Sequence, residues 1–517
     1  MALILTGGLL ARAHANFNRP IGDDVWSHAA AVRALADQPG APLNPFYGTA
    51  ATSNRFTPFH LAWGLWVRLT GRSPMEAFTA ATFVNWIALA LAAAYLGRTL
   101  FGRGGGRLML LTLVLGWGGA LNYSGSYALP DLPSVAAYPS TLAFALGLVL
   151  LAQNFRYARG GGVGTLATSI PLQAAVVLIH PLVGAYTGLL SGVVWLTQGR
   201  AAGPRSMMFL AGMGLGTLAA FLWPYYSLIG LLQREMGHVA DVSKPITHGI
   251  SEYHARWMVR VLRETWPGFL LIPYLWGEAK RNTALRFAGV LWGISLVTFL
   301  LATPLRSRLA DRLGVWMHFP LQIAGAHALW SALADGRAAA TARGTLAGWR
   351  SAFGPPWTRG LALAVLLVCA GLMAGETVRR RLPHIIAAAG PEPSNLSAQY
   401  AELLAGLRPG EMVLARPLEA WPVAAFGGHI VYALRDDYYS PDRSARQAAV
   451  QAFFSPGASS AARRAVLRQW AVDYVLYHRR RLPRETAKEL RPMGTVAAKT
   501  RDLVLLRYPG KVWLGVW

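Results

Sequence analysis

The chain is 517 residues long, 54% hydrophobic and only 14% charged, with 49 Lys and Arg against 24 Asp and Glu and a formal net charge of +25. Apolar runs of about 16 to 23 residues, separated by short Arg- and Gly-rich breaks, mark a polytopic α-helical membrane protein. The basic excess sits mostly in those breaks, where topology signals belong, so no nucleic-acid partner is expected, and a single cysteine, Cys369, excludes an internal disulfide and a cysteine-based metal site.

The opening stretch MALILTGGLLARAHA places about 11 apolar residues before Arg12, short of the roughly 20 that cross a bilayer. The expectation is that part of a first span precedes Met1. Next comes IGDDVWSHAAAVRALAD, residues 21–37, with two adjacent aspartates in a chain poor in acids. Asp24 and His28 stand at i, i+4 on an amphipathic helical pattern, so a carboxylate and an imidazole share one face, a pair suited to general-base work. Helix capping is the plain structural alternative, and it accounts for one aspartate better than for two. RFTPFHLAWGLWVRLTG, residues 55–71, is apolar enough to cross, but counting it as a span puts the following arginine cluster on the wrong side. It is read as an interfacial or re-entrant helix, with Trp63 and Trp66 at headgroup depth.

Eleven candidate spans follow from the hydropathy pattern: 1–15, 75–97, 107–121, 135–153, 165–180, 182–198, 206–228, 266–278, 284–303, 312–334 and 360–377. Five breaks, at 98–107, 156–159, 200–205, 280–286 and 337–359, hold 14 basic residues, with two acids, Glu278 and Asp335, at their margins, and alternate correctly as cytoplasmic loops. The first loop, 16–74, then faces outward together with 122–134, 229–265, 304–311 and everything after 378.

Within the outward loops, NYSGSYALPDLPS offers one acid, Asp131, whose Leu-Pro context is also ordinary turn chemistry. His180-Pro181 stands at the turn of a tight helical hairpin, where an ionisable residue is a functional candidate. The loop 229–265 carries His238, His248 and His254 at spacings of 10 and 6, which match no zinc pattern. TPLRSRLADR breaks the charge rule with Arg306, Arg308 and Arg312 on the outward side. Arginine suits bidentate phosphate recognition, so a lipid phosphate or pyrophosphate is the natural partner, with anionic headgroups or acids of the tail as the bland alternative. From about residue 380 the apolar runs shorten to strand length (EMVLA, VDYVLYH, DLVLLRY) between helical stretches such as SARQAAVQAFF and AARRAVLRQW. The predicted organisation is a transmembrane catalytic domain, 1–378, and a soluble extracytoplasmic α/β domain, 379–517.

The acidic pair of the first outward loop, the helix within PFHLAWGLWVRLTGRSPMEAF, about eleven spans and an outward tail together resemble the GT-C superfamily of membrane glycosyltransferases. The tail segments GGHIVYALRDDYYSPDRSARQAAVQAFFSP and VLRQWAVDYVLYHRR look like the C-terminal part of many bacterial members. The resemblance implies an enzyme of the bacterial inner membrane that moves a hexose or pentose from a polyprenyl-phosphate carrier to an extracytoplasmic glycan, lipid or protein, usually with inversion. It places the acidic motif on Asp23 and Asp24, one of them the general base, and a second acid at Asp131, to orient the acceptor or hold a divalent ion. Those three carboxylates are the residues available to a metal, although no Asp-x-Asp stands in the first loop. His28, His60 and His180 are the candidate substrate-binding histidines, and Arg306, Arg308 and Arg312 the cations for the leaving phosphate. Two other classes compete. A transporter or flippase for lipid-linked glycans is expected to carry charges within its spans, whereas a polymerase or ligase is expected to depend on His180 and the arginines and not on the aspartates.

Overall fold

The computed structural model describes residues 1–15, 24–117, 126–198, 203–231, 233, 248–302, 316–341, 364–372, 375, 376, 378, 379, 396–432 and 442–509. Asp23, Arg306, Arg308 and Arg312 lie outside the described residues. The chain divides into two compact units, one of Met1–His14, Thr79–Trp223 and Glu235–Ile386, the other of Ala15–Phe78, Pro224–Arg234 and Ala387–Trp517.

Along the chain run α1 (Ala2–Ala15), then α2 (Val25–Asp37) and α3 (Pro58–Thr70) of the second unit. The first unit continues with α4 (Pro74–Phe101), α5 (Gly105–Leu115), α6 (Leu132–Val135), α7 (Pro139–Ala158), α8 (Val163–Ile179), α9 (Pro181–Thr197) and α10 (Gly203–Ala220). It closes with α11 (His248–Phe269), α12 (Ile272–Ala279), α13 (Thr283–Ala302) and α14 (His318–Thr341). Among the described residues, α4, α7 and Thr283–Leu301 are long and apolar enough to cross a membrane, while α1, α5, α8 and α9 are apolar but shorter.

Two expected segments take a different form. The 206–228 run stops being helical at Ala220, ahead of Pro224, and 266–278 is divided between the end of α11 and the eight-residue α12. Pro267, Gly268 and Pro273 stand at that division, where missing N–H donors and a weak helix former end one helix and start another. Small residues let the helices of this unit approach closely. A Cβ on Gly97 would lie 2.4 Å from the carbonyl oxygen of Gly105, so α4 and α5 touch through their backbones. Interhelical hydrogen bonds add to this contact: Gln173 Nε2 donates to the Gly184 carbonyl at 3.4 Å and Asn154 Nδ2 to the Ser191 carbonyl at 3.3 Å.

The second unit joins α2 and α3 to the tail. Helix α3 has 13 residues and rises about 20 Å, too short to cross a bilayer. Helix α2 is buried at every position from Val25 to Val32 and again at Leu35 and Ala36. It packs against α3, where Gly64 presses so closely that a Cβ would lie 2.8 Å from Leu35 Cβ and 3.1 Å from the Val32 carbonyl. Gly64→Val is therefore expected to push the two helices apart and cost about 1–3 kcal/mol, read as a lowered unfolding midpoint of the detergent-solubilised protein. An unchanged midpoint would show that the close approach is not required.

The tail contributes α15 (Leu396–Leu404), β1 (Met412–Leu414), α16 (Pro417–Ala425), β2 (His429–Ile430), α17 (Arg443–Phe454), α18 (Ser460–Gln469), β3 (Tyr474–His478), α19 (Arg484–Leu490), β4 (Thr495–Lys499) and β5 (Leu503–Arg507). The sheet order is β2-β1-β3-β5-β4, with β1 parallel to β2 and β3, and β5 antiparallel to β3 and β4. Leu414, Val450, Phe453, Leu467, Val475 and Leu506 are among the residues of its core. Residues of the first loop add to this body. The Ile430 amide of β2 donates to the Phe46 carbonyl at 2.7 Å, and the Arg446 guanidinium lies 4.5 Å from the Tyr47 ring centre and 4.6 Å from that of Trp470. Helix α2 also packs on α16, with the Trp26 ring 6.2 Å from Tyr400 and 6.3 Å from Phe426.

Candidate active site

Asp24 occupies the N-cap position of α2 with φ −60° and ψ −19°, and its side chain makes no capping hydrogen bond. Its carbonyl does the local work instead, accepting from the Ser27 amide at 3.1 Å, the Ser27 hydroxyl at 2.8 Å and the His28 amide at 3.2 Å. The residue is half-buried, and the capping is done by its backbone.

One turn along α2, His28 meets His60 of α3. His28 Nδ1 and His60 Nε2 are 2.7 Å apart, the ring centres 5.0 Å apart and the planes only 5° from parallel. That combination describes two imidazoles side by side in one plane, joined edge to edge through a shared proton. Arg55 Nη1 lies 2.8 Å from His28 Nε2, and Thr57 Oγ1 lies 2.8 Å from His60 Nδ1. The same Arg55 nitrogen lies 3.2 Å from His28 Nδ1, so the guanidinium, which only donates, sits against both ring nitrogens of His28. Thr57 is the N-cap of α3, and its hydroxyl also accepts from the His60 amide. Arg55, His28, His60 and Thr57 thus form one continuous set of contacts.

Burial, and secondarily the Arg55 charge, hold His60 well below the ordinary imidazole range. From pH 6.5 down to that depressed value the unfolded chain binds a proton that the folded unit refuses, so stability falls as pH falls through the window. Glu419 on α16 acts in the opposite sense. Its side chain is 2% exposed, and burial, opposed by Arg416 and Arg481, pushes its carboxyl up to about 7. The folded unit holds that proton between pH 4.5 and about 7 while the unfolded chain releases it, so stability falls as pH rises there. Glu419→Gln is expected to remove the falling limb and leave unfolding midpoints that rise more steeply with pH than in the wild type. His60→Gln is expected to flatten the rise below pH 6.5. Superimposable pH profiles of the three proteins would refute both assignments.

In the first unit Asp131 precedes α6 and is 1% exposed. Like Asp24 it stands at an N-cap with no side-chain cap, while its carbonyl accepts from the Ser134 hydroxyl at 2.7 Å and the Ser134 amide at 2.9 Å. Turn chemistry therefore engages the backbone of this buried residue. His14 of α1, 2% exposed, donates from Nδ1 to the Pro133 carbonyl at 3.1 Å and ties α1 to the same turn. His180 is the N-cap of α9, its Nδ1 accepting from the Val183 amide at 3.3 Å, with Pro181 opening the helix. Among the described residues no three of His, Cys, Asp and Glu gather as a metal-ligand set.

The structure thus brings His28 and His60 together and adds Arg55 and Thr57, which sequence reasoning missed. Arg55 and Thr57 lie within RFTPFHLAWGLWVRLTG, but only the pairing of α2 with α3 shows what they face.

No family model matches the sequence, and no curated protein does. Solved structures match the fold. ArnT from Cupriavidus metallidurans, solved bound to undecaprenyl phosphate and in the apo state, superposes with a TM-score of 0.56 at 14% identity, over 98% of this chain and 97% of that one. The oligosaccharyltransferase of Archaeoglobus fulgidus in its apo form gives a TM-score of 0.53 at 12% identity, over 92% of this chain and 69% of that one. The chain shares the fold of these two proteins.

Proposed function

We propose that the protein is an integral-membrane glycosyltransferase that takes a sugar from a polyprenyl-phosphate carrier and transfers it, with inversion, to an extracytoplasmic acceptor. The observation that supports this most is the near end-to-end match in fold to ArnT, a protein solved with undecaprenyl phosphate bound. A match over 98% and 97% of the two chains covers the helical unit, the first loop and the tail alike.

In this reading one aspartate of the pair Asp23 and Asp24 removes the acceptor hydroxyl proton. The acceptor oxygen bonds to the anomeric carbon as the bond from that carbon to the phosphate oxygen breaks, and polyprenyl phosphate leaves with the electron pair. Arg306, Arg308 and Arg312 neutralise the charge that develops on the leaving phosphate. Asp131 orients the acceptor, and His28 and His60 shape the base's surroundings on α2. His180 contributes to the substrate site from the turn between α8 and α9. A flippase or transporter for lipid-linked glycans is the competing reading, as is a polymerase or ligase. Both are tested by the same experiment: incubation of the protein in nanodiscs with labelled undecaprenyl-phosphate-linked sugars and extracted envelope acceptors. Release of undecaprenyl phosphate with label on the acceptor supports the transferase. Movement of label across the bilayer without new glycosidic bonds would replace it with the transporter.

A further inference from the structure

Two buried polar atoms of the first unit, on neighbouring elements, find no partner. Trp117, just past α5, is 1% exposed and His318, opening α14, is 3% exposed. The indole Nε1 of one and the Nδ1 of the other make no hydrogen bond. Buried polar atoms are nearly always satisfied in native proteins, and an orphan costs free energy unless something else completes it.

Both residues pack against one stretch of α11. Thr265 donates its hydroxyl proton to the Val261 carbonyl at 2.5 Å, so its oxygen is left to accept from His318 Nε2 at 3.4 Å. That arrangement puts the imidazole proton on Nε2 and leaves Nδ1 a bare acceptor. Three residues on, Gly268 lies flat against the indole: a Cβ there would sit 2.7 Å from Trp117 Cε2 and 3.0 Å from Nε1. A side chain at this position would cover the indole N–H. Gln322, one turn beyond His318, donates to the Leu113 carbonyl of α5 at 3.4 Å and draws α14 to the end that carries Trp117. By contrast, His327 farther along α14 has both nitrogens occupied, by Tyr274 at 2.6 Å and Asn282 at 2.9 Å. Its bonds account for it as a structural residue, and those of His318 do not.

An unpaired N–H donor and an unpaired nitrogen acceptor, carried by two residues that pack on the same stretch of helix, suit a group that both accepts and donates, which is a hydroxyl. We infer that Trp117 and His318 form a hydroxyl-recognition pair for the sugar carried on the lipid donor. This rests on the proposed transferase reading and adds a subsite that names what part of the donor is recognised. Trp117 supplies the proton to the sugar oxygen, and His318 Nδ1 receives the hydroxyl proton as a hydrogen bond, with no bond made or broken.

The test compares binding of bare undecaprenyl phosphate with binding of undecaprenyl-phosphate-linked hexoses and pentoses by the full-length protein in nanodiscs. Wild type is expected to prefer at least one sugar-loaded carrier. Trp117→Phe, which keeps a ring but loses the N–H, and His318→Phe are each expected to reduce that preference roughly three- to tenfold while leaving affinity for the bare carrier unchanged. His318→Asn, which returns an acceptor oxygen near the Nδ1 position, is expected to restore most of it. A donor deoxygenated at the recognised hydroxyl is expected to bind wild type and Trp117→Phe equally well. A preference that survives intact in both Phe variants overturns the inference and assigns the two atoms to a buried water, with the transferase reading untouched. Wild type that binds loaded and bare carriers equally overturns the inference together with the reading beneath it. Should His318→Phe fail to fold, Trp117→Phe and the deoxygenated donor still decide the matter.

Discussion

Asp24→Asn is expected to slow sugar transfer by about 10²- to 10⁴-fold, with affinity for the undecaprenyl-phosphate-linked donor kept within about threefold. Asparagine has nearly the shape of aspartate but cannot take up a proton at neutral pH, and removing a positioned general base costs a factor of this size. In barrier height that is about 3–5.5 kcal/mol, larger than any neutral hydrogen bond supplies, so a binding role and a base role separate cleanly. Asp24 stands at the N-cap position of α2, and its side chain makes no capping hydrogen bond there. Asp23→Asn is the necessary companion, because either member of the pair suits the proton transfer. A loss confined to kcat in one variant assigns the base. Full turnover in both would end the mechanism, and a rise in KM with kcat unchanged would make the carboxylate a binding group.

The same pair shows how far the sequence carried and where it stopped. Hydropathy placed most helices of the first unit correctly because burial in apolar surroundings is written into every residue of a long run. EMVLA, VDYVLYH and DLVLLRY became β1, β3 and β5 for a similar local reason, and SARQAAVQAFF and AARRAVLRQW became α17 and α18. Elements with little local signal stayed out of reach. β2 is two residues long, and most of the TVAAK strand, β4, is exposed. The tail was read as a domain by itself, but β2 pairs with Phe46 and α16 packs on α2, contacts nearly 400 residues apart in sequence that no periodicity encodes. At the site, Asp24 and His28 were legible because i, i+4 spacing is a rule of helix geometry. His60 meets His28 only through the packing of α2 on α3, and Arg55 enters with it. His318 lay in plain view inside an apolar run, where an ionisable residue is itself a signal.

Trp26→Ala is expected to destabilise the second unit by about 3–5 kcal/mol, near the upper end for a single substitution. Trp26 is fully buried within a helix that is itself buried on nearly every side, and its ring meets Tyr400 and Phe426, so truncation leaves a cavity that rigid neighbours cannot close. The consequence reaches beyond stability, since Asp24 and His28 flank Trp26 on the same helix and take their placement from it. A lowered unfolding midpoint is therefore expected together with a reduced kcat under conditions where the variant remains folded. The tail tested alone makes the complementary point. Residues 387–517 without residues 15–78 expose the α16 surface that packs on α2, leave the Ile430 amide of β2 without the Phe46 carbonyl, and strip Arg446 of the Tyr47 ring. That fragment is expected to bind a hydrophobic dye and to be cut by protease at concentrations the intact protein resists. If it instead folds cooperatively and resists protease as the whole chain does, the tail is a self-sufficient domain, and Trp26 is then a contact on its surface rather than part of its core.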